Sequence, residues 1–184
     1  MKNAILFSIL ALTVLGCNKK IDEKSTNVLN QDSSLNTTSS TISESFFPEN
    51  KETIKFDTLI ASEHLHVTII KTNLDSYVTC EYDDNGKKQI DKYRDAEIIL
   101  TIKQNSQILL DTVFKKEQFS KYCDKGFMDI ANFHNYWFNK IDNNRIELFG
   151  VISKPETDYT LDFYHYFDLT TKKLNFVEYA EDEE

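Results

Sequence analysis

The chain has 184 residues, 40% of them hydrophobic and 28% charged, enough for one domain with a real core and too few for two large ones. Its formal net charge is −9 and its only arginines are Arg94 and Arg145, which argues against nucleic-acid or nucleotide partners. Four Gly and two Pro exclude collagen-like and proline-rich architectures, while 13 Phe and nine Tyr lean toward strand.

Lys2 gives a short positive start, and residues 4–15 form an apolar run too short to span a bilayer comfortably. The run reads as a signal-peptide core over residues 1–16. It ends in Val14-Leu15-Gly16-Cys17. These residues resemble the lipobox of bacterial lipoproteins, in which the cysteine thiol is diacylglycerated and the chain is cut just before it. The resemblance implies acyl chains on Cys17 and a protein anchored to a membrane without spanning it. The competing reading is a buried apolar helix with an incidental cysteine. Asn18, where Asp marks inner-membrane retention in such lipoproteins, implies the outer membrane, facing either periplasm or cell surface. Lys19-Lys20-Ile21-Asp22-Glu23 is similar to the surface-export signal of lipoproteins from Bacteroides-like bacteria, and it reads equally as a mixed-charge solvated tether.

Residues 17–50 are expected to be a tether. Between 25 and 45 the only apolar residues are Val28, Leu29, Leu35 and Ile42, too few to offset the entropy of ordering that stretch. A single domain is expected over 51–180, followed by an acidic tail at 181–184. Residues 53–60 read as a strand. Leu65, Val67 and Ile69 alternate with His64, His66 and Thr68, and a further strand is expected over 77–82. Asp83-Asp84-Asn85-Gly86 is a turn, and 87–96, polar and charged, reads as a loop. Residues 98–103 and 108–114 flank Gln104-Asn105-Ser106 as a hairpin. Residues 115–123 are the one helix candidate, with Phe119 and Tyr122 on one face and Gly126 near its exit. Two more hairpins follow, 134–141 with 145–153 and 159–169 with 174–179. The fold class is therefore mainly β, antiparallel hairpins forming a sandwich, a curled sheet or a partly closed barrel, with one short helix. Phe114-Lys115-Lys116-Glu117-Gln118-Phe119, Ile141-Asp142-Asn143-Asn144 and residues 151–158 follow in an order that resembles small uncharacterised lipoproteins of Bacteroides-like bacteria. That resemblance implies no activity and no catalytic residue.

Candidate chemistry is sparse. After lipidation Cys80 and Cys123 are the remaining thiols, either a disulfide, which an oxidising compartment allows, or two separate thiols. His64 and His66, on one strand face, suit a metal only with a third ligand such as His134 or His165, and the reading assigns no metal and no cofactor. Thr58 and Thr112, each after an Asp, resemble the O-glycosylation signal of Bacteroides-like exported proteins. Asp83 and Asp84 read as a solvated turn. In residues 163–167, Phe163 and Phe167 line a core with Leu161, which turns Tyr164 and Tyr166 to the other face. Tyr136, Trp137, Tyr164 and Tyr166 are the candidate binding aromatics, suited to sugar rings or a protein partner. Serine-nucleophile, phosphate-loop and dinucleotide motifs are missing. Three functions stay open. The first is a non-enzymatic binding or assembly module of the cell envelope, with an envelope protein or a glycan as partner. The second is a small hydrolase of envelope or imported polysaccharide using Asp158, Asp162, His134 and His165. The third is a structural spacer or accessory of a membrane complex.

Overall fold

The computed structural model describes residues 42–179. The expected signal peptide and lipobox, Cys17, Asn18, the charged stretch 19–23, most of the tether and the acidic tail lie outside the described residues. Among the described residues no helix is long and apolar enough to cross a membrane.

Among the described residues nine strands form two sheets, so the class is mainly β and the two sheets pack as an open sandwich. The first sheet holds β1 (Ser43–Phe47), β2 (Thr53–Ile60), β3 (Leu65–Asp84), β4 (Lys87–Gln104) and β5 (Gln107–Phe114). Its centre is β4, with β3 along one edge and β1 and β5 end to end along the other. The second sheet is an antiparallel meander of β6 (Asn132–Asp142), β7 (Arg145–Ser153), β8 (Thr160–Asp168) and β9 (Leu174–Glu178). Between the sheets in sequence come a 3₁₀ helix, Lys116–Tyr122, and the single turn α1 (Phe127–Ile130).

The three expected hairpins form, β3 and β4 make a further one, and turn chemistry accounts for three of these four. Asn85-Gly86, Asn105-Ser106 and Asn143-Asn144 each place two consecutive residues at positive φ. That is the type I′ geometry whose twist matches paired strands, and Asn and Gly tolerate it best. In the first of these turns Asp83 Oδ1 accepts the Gly86 N–H at 2.6 Å.

Four expectations change. Residues 43–47, assigned to the tether, are strand β1, which runs parallel to β4 with Ser43 opposite Gln89 and Phe47 opposite Tyr93. Residues 87–96, assigned to a loop, are the first half of β4. Their polar side chains have partners: Asp91 accepts from Tyr82 Oη across the sheet and from Gln89 Nε2 on its own strand, each at 2.7 Å, and Lys92 pairs with Glu44 of β1 at 2.6 Å. The strands expected at 65–69 and 77–82 are one strand, β3, interrupted by a bulge between Asn73 and Tyr77. The helix at 116–122 is 3₁₀ rather than α, and Gly126 precedes α1 instead of ending a helix. Three residues per turn put Phe119 and Tyr122 along one edge, as the spacing requires. Phe119 is buried and Tyr122 stacks on Phe176 at 3.7 Å.

The core lies between unlike faces. Leu65, Val67 and Ile69 of β3 and Ile98, Leu100 and Ile102 of β4 give the first sheet an aliphatic inner face. The second sheet adds the aromatics Phe133, Tyr136, Phe163 and Phe167 to its own aliphatics Ile146, Leu148, Ile152 and Leu161. Phe119 enters from the 3₁₀ helix, its ring 4.6 Å from that of Phe163. Phe163 in turn lies over the backbone of its register partner Gly150, where a Cβ would sit 2.2 Å from the ring. Only glycine lets these strands and that ring coexist. Gly150→Ala is expected to destabilise the protein by about 1–3 kcal/mol through overpacking. The measurement is a urea unfolding curve, with a lower midpoint at unchanged slope.

Candidate functional site

Strand β8 sorts its side chains strictly by parity. Leu161, Phe163, His165 and Phe167 are buried, and Asp162, Tyr164, Tyr166 and Asp168 face outward. The register of the meander extends the outward set into a row across the sheet. Trp137 of β6 lies opposite Phe149 of β7, Phe149 opposite Tyr164 of β8, and Tyr164 opposite Val177 of β9. Ring centroids are 4.8 Å apart for Trp137–Phe149 and 4.8 Å for Phe149–Tyr164. Tyr166 and Tyr179 flank the row, 5.7 and 5.8 Å from Tyr164, and the Arg145 guanidinium covers Tyr166 at 5.1 Å. The row is half-buried by its own mutual packing, and Val177 and Tyr179 are exposed.

Three of the four predicted aromatics therefore share this face, and one does not. Tyr136 is 1% exposed and belongs to the core. Bulges in β6 on either side, between Phe133 and Asn135 and between Phe138 and Lys140, break the simple alternation that would have assigned it. Phe149 and Tyr179 complete the face. Phe149 was legible, because Ile146, Leu148 and Ile152 alternate inward around it.

Further along the same face the row Asn132, Ser153, Thr160 marks the end of the sheet. Together with His134 and Val151 these residues line a cavity of about 300 Å³, closed by Tyr93 and the segment 154–157. Tyr93 Oη donates to Glu156 Oε1 at 2.7 Å, which ties the long β4 strand to that segment. Burial and Glu156 both push the Tyr93 phenol well above its usual range. Asn132 Nδ2 donates to the Arg94 carbonyl at 3.0 Å, while its Oδ1 is buried without a partner. Asp162 Oδ1, one row nearer the aromatics, is likewise buried and unpartnered. Among the described residues these are the only such side-chain atoms, and both sit on the outer face of the second sheet.

The remaining candidates do not assemble. Cys80 and Cys123 are free thiols. Cys80 Sγ contacts the Pro155 carbonyl and Cys123 Sγ the Phe119 carbonyl, each at 3.8 Å, and burial raises both thiols above their ordinary pKa. His64 is a left-handed turn residue ahead of β3, so it shares no strand face with His66. His66 Nε2 instead meets Asp57 Oδ1 at 2.9 Å, on the side of β2 and β3 away from the core. Lys55 foremost, with Thr68 and His66, holds the Asp57 carboxyl down at about 2. Thr58 and Thr112 are half-buried strand residues. Among the described residues no three potential metal ligands converge. The proposed hydrolase set is split: Asp162 faces out, His165 faces the core, and Asp158 is on the exposed β7–β8 connection.

His165, a candidate metal ligand and hydrolase residue in the sequence, is instead a buried core residue. Its Nδ1 meets Tyr136 Oη at 2.9 Å inside a shell of Phe114, Phe119 and Phe163 rings. Burial lowers the imidazole to about 4, from an ordinary value of 6.5, and raises the Tyr136 phenol far above its usual range. Burial also lowers His134, which Lys71 reinforces.

The chain belongs to the DUF4738 family, a domain of unknown function, whose model matches residues 32–169. The match covers most of the two sheets and stops just beyond β8. Among curated proteins none matches the chain.

A pH dependence follows from His165. The unfolded chain protonates this group near pH 6.5 and the folded chain near pH 4, so its contribution is complete above 6.5 and is lost as the pH falls toward 4. The gap corresponds to about 3 kcal/mol. Urea unfolding at pH 7 and at pH 4.5 should show the loss, and His165→Phe should make the slope between those pH values shallower.

Proposed function

We propose that the chain is a membrane-anchored lipoprotein of the cell envelope whose β domain is a non-enzymatic binding module. Cys17 carries the acyl chains, and the polar segment behind it holds the domain away from the outer membrane. The observation that carries the binding reading is the cross-strand aromatic row Trp137–Phe149–Tyr164 on the outer face of the second sheet. A solvent-facing strand side ordinarily carries polar residues, whereas contiguous aromatics rimmed by polar groups mark interaction surfaces. The polar rim here is Asn139, Glu147 and Lys140 along one side, with Asn139 Nδ2 donating to Glu147 Oε1 at 2.5 Å. The hydrolase reading loses support because His165 and Asp162 point to opposite faces of β8.

Two measurements test the reading. Cys17→Ala is expected to move the protein from the membrane fraction to the soluble fraction, and a variant still in membranes would refute the anchor. Trp137→Ala with Tyr164→Ala, both outside the core, should change folding stability by no more than about 1–2 kcal/mol. The same double variant of the soluble Cys17→Ala protein should lose its retention on envelope material, and undiminished retention would refute the binding face.

A further inference from the structure

The outer face of the second sheet is more than an apolar patch, because its aromatics lead into a polar cavity. From the Phe149 row to the Ser153 row is four residues of strand, roughly 13 Å. Along that length the surface changes from rings packed tilted and edge-to-face, through Val151 and Asp162, to the cavity of about 300 Å³ at Asn132, Ser153 and Thr160. Asn132 is 8% exposed and has one half of its amide committed to the Arg94 carbonyl. Its other half, Oδ1, is an acceptor without a donor. A buried acceptor left unpaired costs about 1–3 kcal/mol, so a protein keeps one where something else supplies the donor. Asp162 Oδ1 repeats the pattern in the adjoining row.

Resting on the binding reading above, we infer that this face takes a neutral oligosaccharide, its sugar rings stacked on Trp137, Phe149 and Tyr164 and a terminal ring in the cavity, with hydroxyl groups donating to Asn132 Oδ1 and Asp162 Oδ1. The chemistry selects this class in three ways. Both unpartnered atoms are acceptors, so the ligand must bring donors, which hydroxyls do and carboxylates or phosphates do not. The half-buried rings, inclined at 54° and 62° to one another, offer separate apolar surfaces to the C–H faces of successive pyranoses while the polar rim meets their edges. Lys154 and Glu156 line the cavity together, so no net positive charge favours an anionic sugar. A peptide would find its main-chain partners along a free strand edge, whereas the groups of this site are side chains on the outer face of the sheet.

Trp137 is the only tryptophan of the chain, which makes it a built-in reporter. The full mature protein in detergent is titrated with soluble neutral polysaccharides (xyloglucan, mannan and glycogen) and with polygalacturonate as the anionic control. At least one neutral polysaccharide should shift Trp137 emission saturably, and polygalacturonate should not. Tyr164→Ala, Asn132→Ala and Asp162→Ala should each weaken that binding at least tenfold. Asp162→Ala should do so without lowering the urea midpoint, since it removes an unpaired acceptor. A residue with a purely structural role would instead lower the midpoint and leave the affinity alone. Emission unmoved by every neutral polysaccharide, or moved equally by polygalacturonate, overturns the inference. If envelope retention still depends on Trp137 and Tyr164 in that case, the partner is a protein and the binding face stands. If retention is indifferent to them as well, both readings fall.

Discussion

The Asp95 carboxylate holds the two sheets in register with each other. It lies on β4 where the strand changes its buried side, from Asp91 and Asp95 before to Ala96, Ile98 and Leu100 after. Its Oδ1 accepts the N–H of Ala96 at 2.9 Å and of Phe133, the second residue of β6, at 2.8 Å. Its Oδ2 pairs with Lys116 of the 3₁₀ helix at 3.2 Å, side-chain exposures being 3% and 13%. Lys116 then donates to the Ala131 carbonyl at 2.7 Å, and Asn132 to that of Arg94. A charge this deeply buried is tolerated only when its lone pairs are met, and removing one partner of such a pair typically costs about 3–5 kcal/mol. The apolar faces drive the sheets together without direction. This polar joint decides where along β4 the second sheet begins.

The same joint accounts for the asymmetry of the first sheet. Beyond Asp95, toward Lys87, β4 runs past the aliphatic core, and its inward side chains become Tyr93, Asp91 and Gln89. They meet Glu156, Tyr82 and Ser45 rather than leucines. Phe47 of β1 stacks on Tyr93 at 5.1 Å, and Arg94 lies over Phe46 at 4.3 Å. The extension is thus held by hydrogen bonds and rings, and it reaches the segment 154–157 at the end of the second sheet. That reach is what closes the cavity beside Asn132.

On the second sheet one strand serves two purposes. In β8 the buried half fixes the aromatic core around His165 and Tyr136, while the outward half supplies Asp162, Tyr164 and Tyr166. Stability and surface chemistry are coupled through this shared backbone. Gly150 illustrates the coupling: lacking a Cβ, it leaves room for Phe163 on the inner side, while the adjacent pair Phe149 and Tyr164 meets on the outer side at 4.8 Å.

The sequence by itself determined the mainly β class, the three hairpins of consecutive strands and the outward pair Tyr164 and Tyr166. It could do so because turn chemistry and period-two alternation are local properties, carried by Asn143-Asn144 or Leu161 to Phe167 without reference to the rest of the chain. Only the tertiary structure decided that residues 87–96 are strand and that 43–47 pair with them, since several of their polar side chains are stabilised by partners more than 40 positions away, as in Lys92 with Glu44. It also decided that Tyr136 is core, because bulges reset the alternation of β6. The cavity at Asn132 was equally out of reach of the sequence. It is made by β4, β6, β7 and the segment after it, and an unpaired amide oxygen becomes visible only when every neighbour is in place.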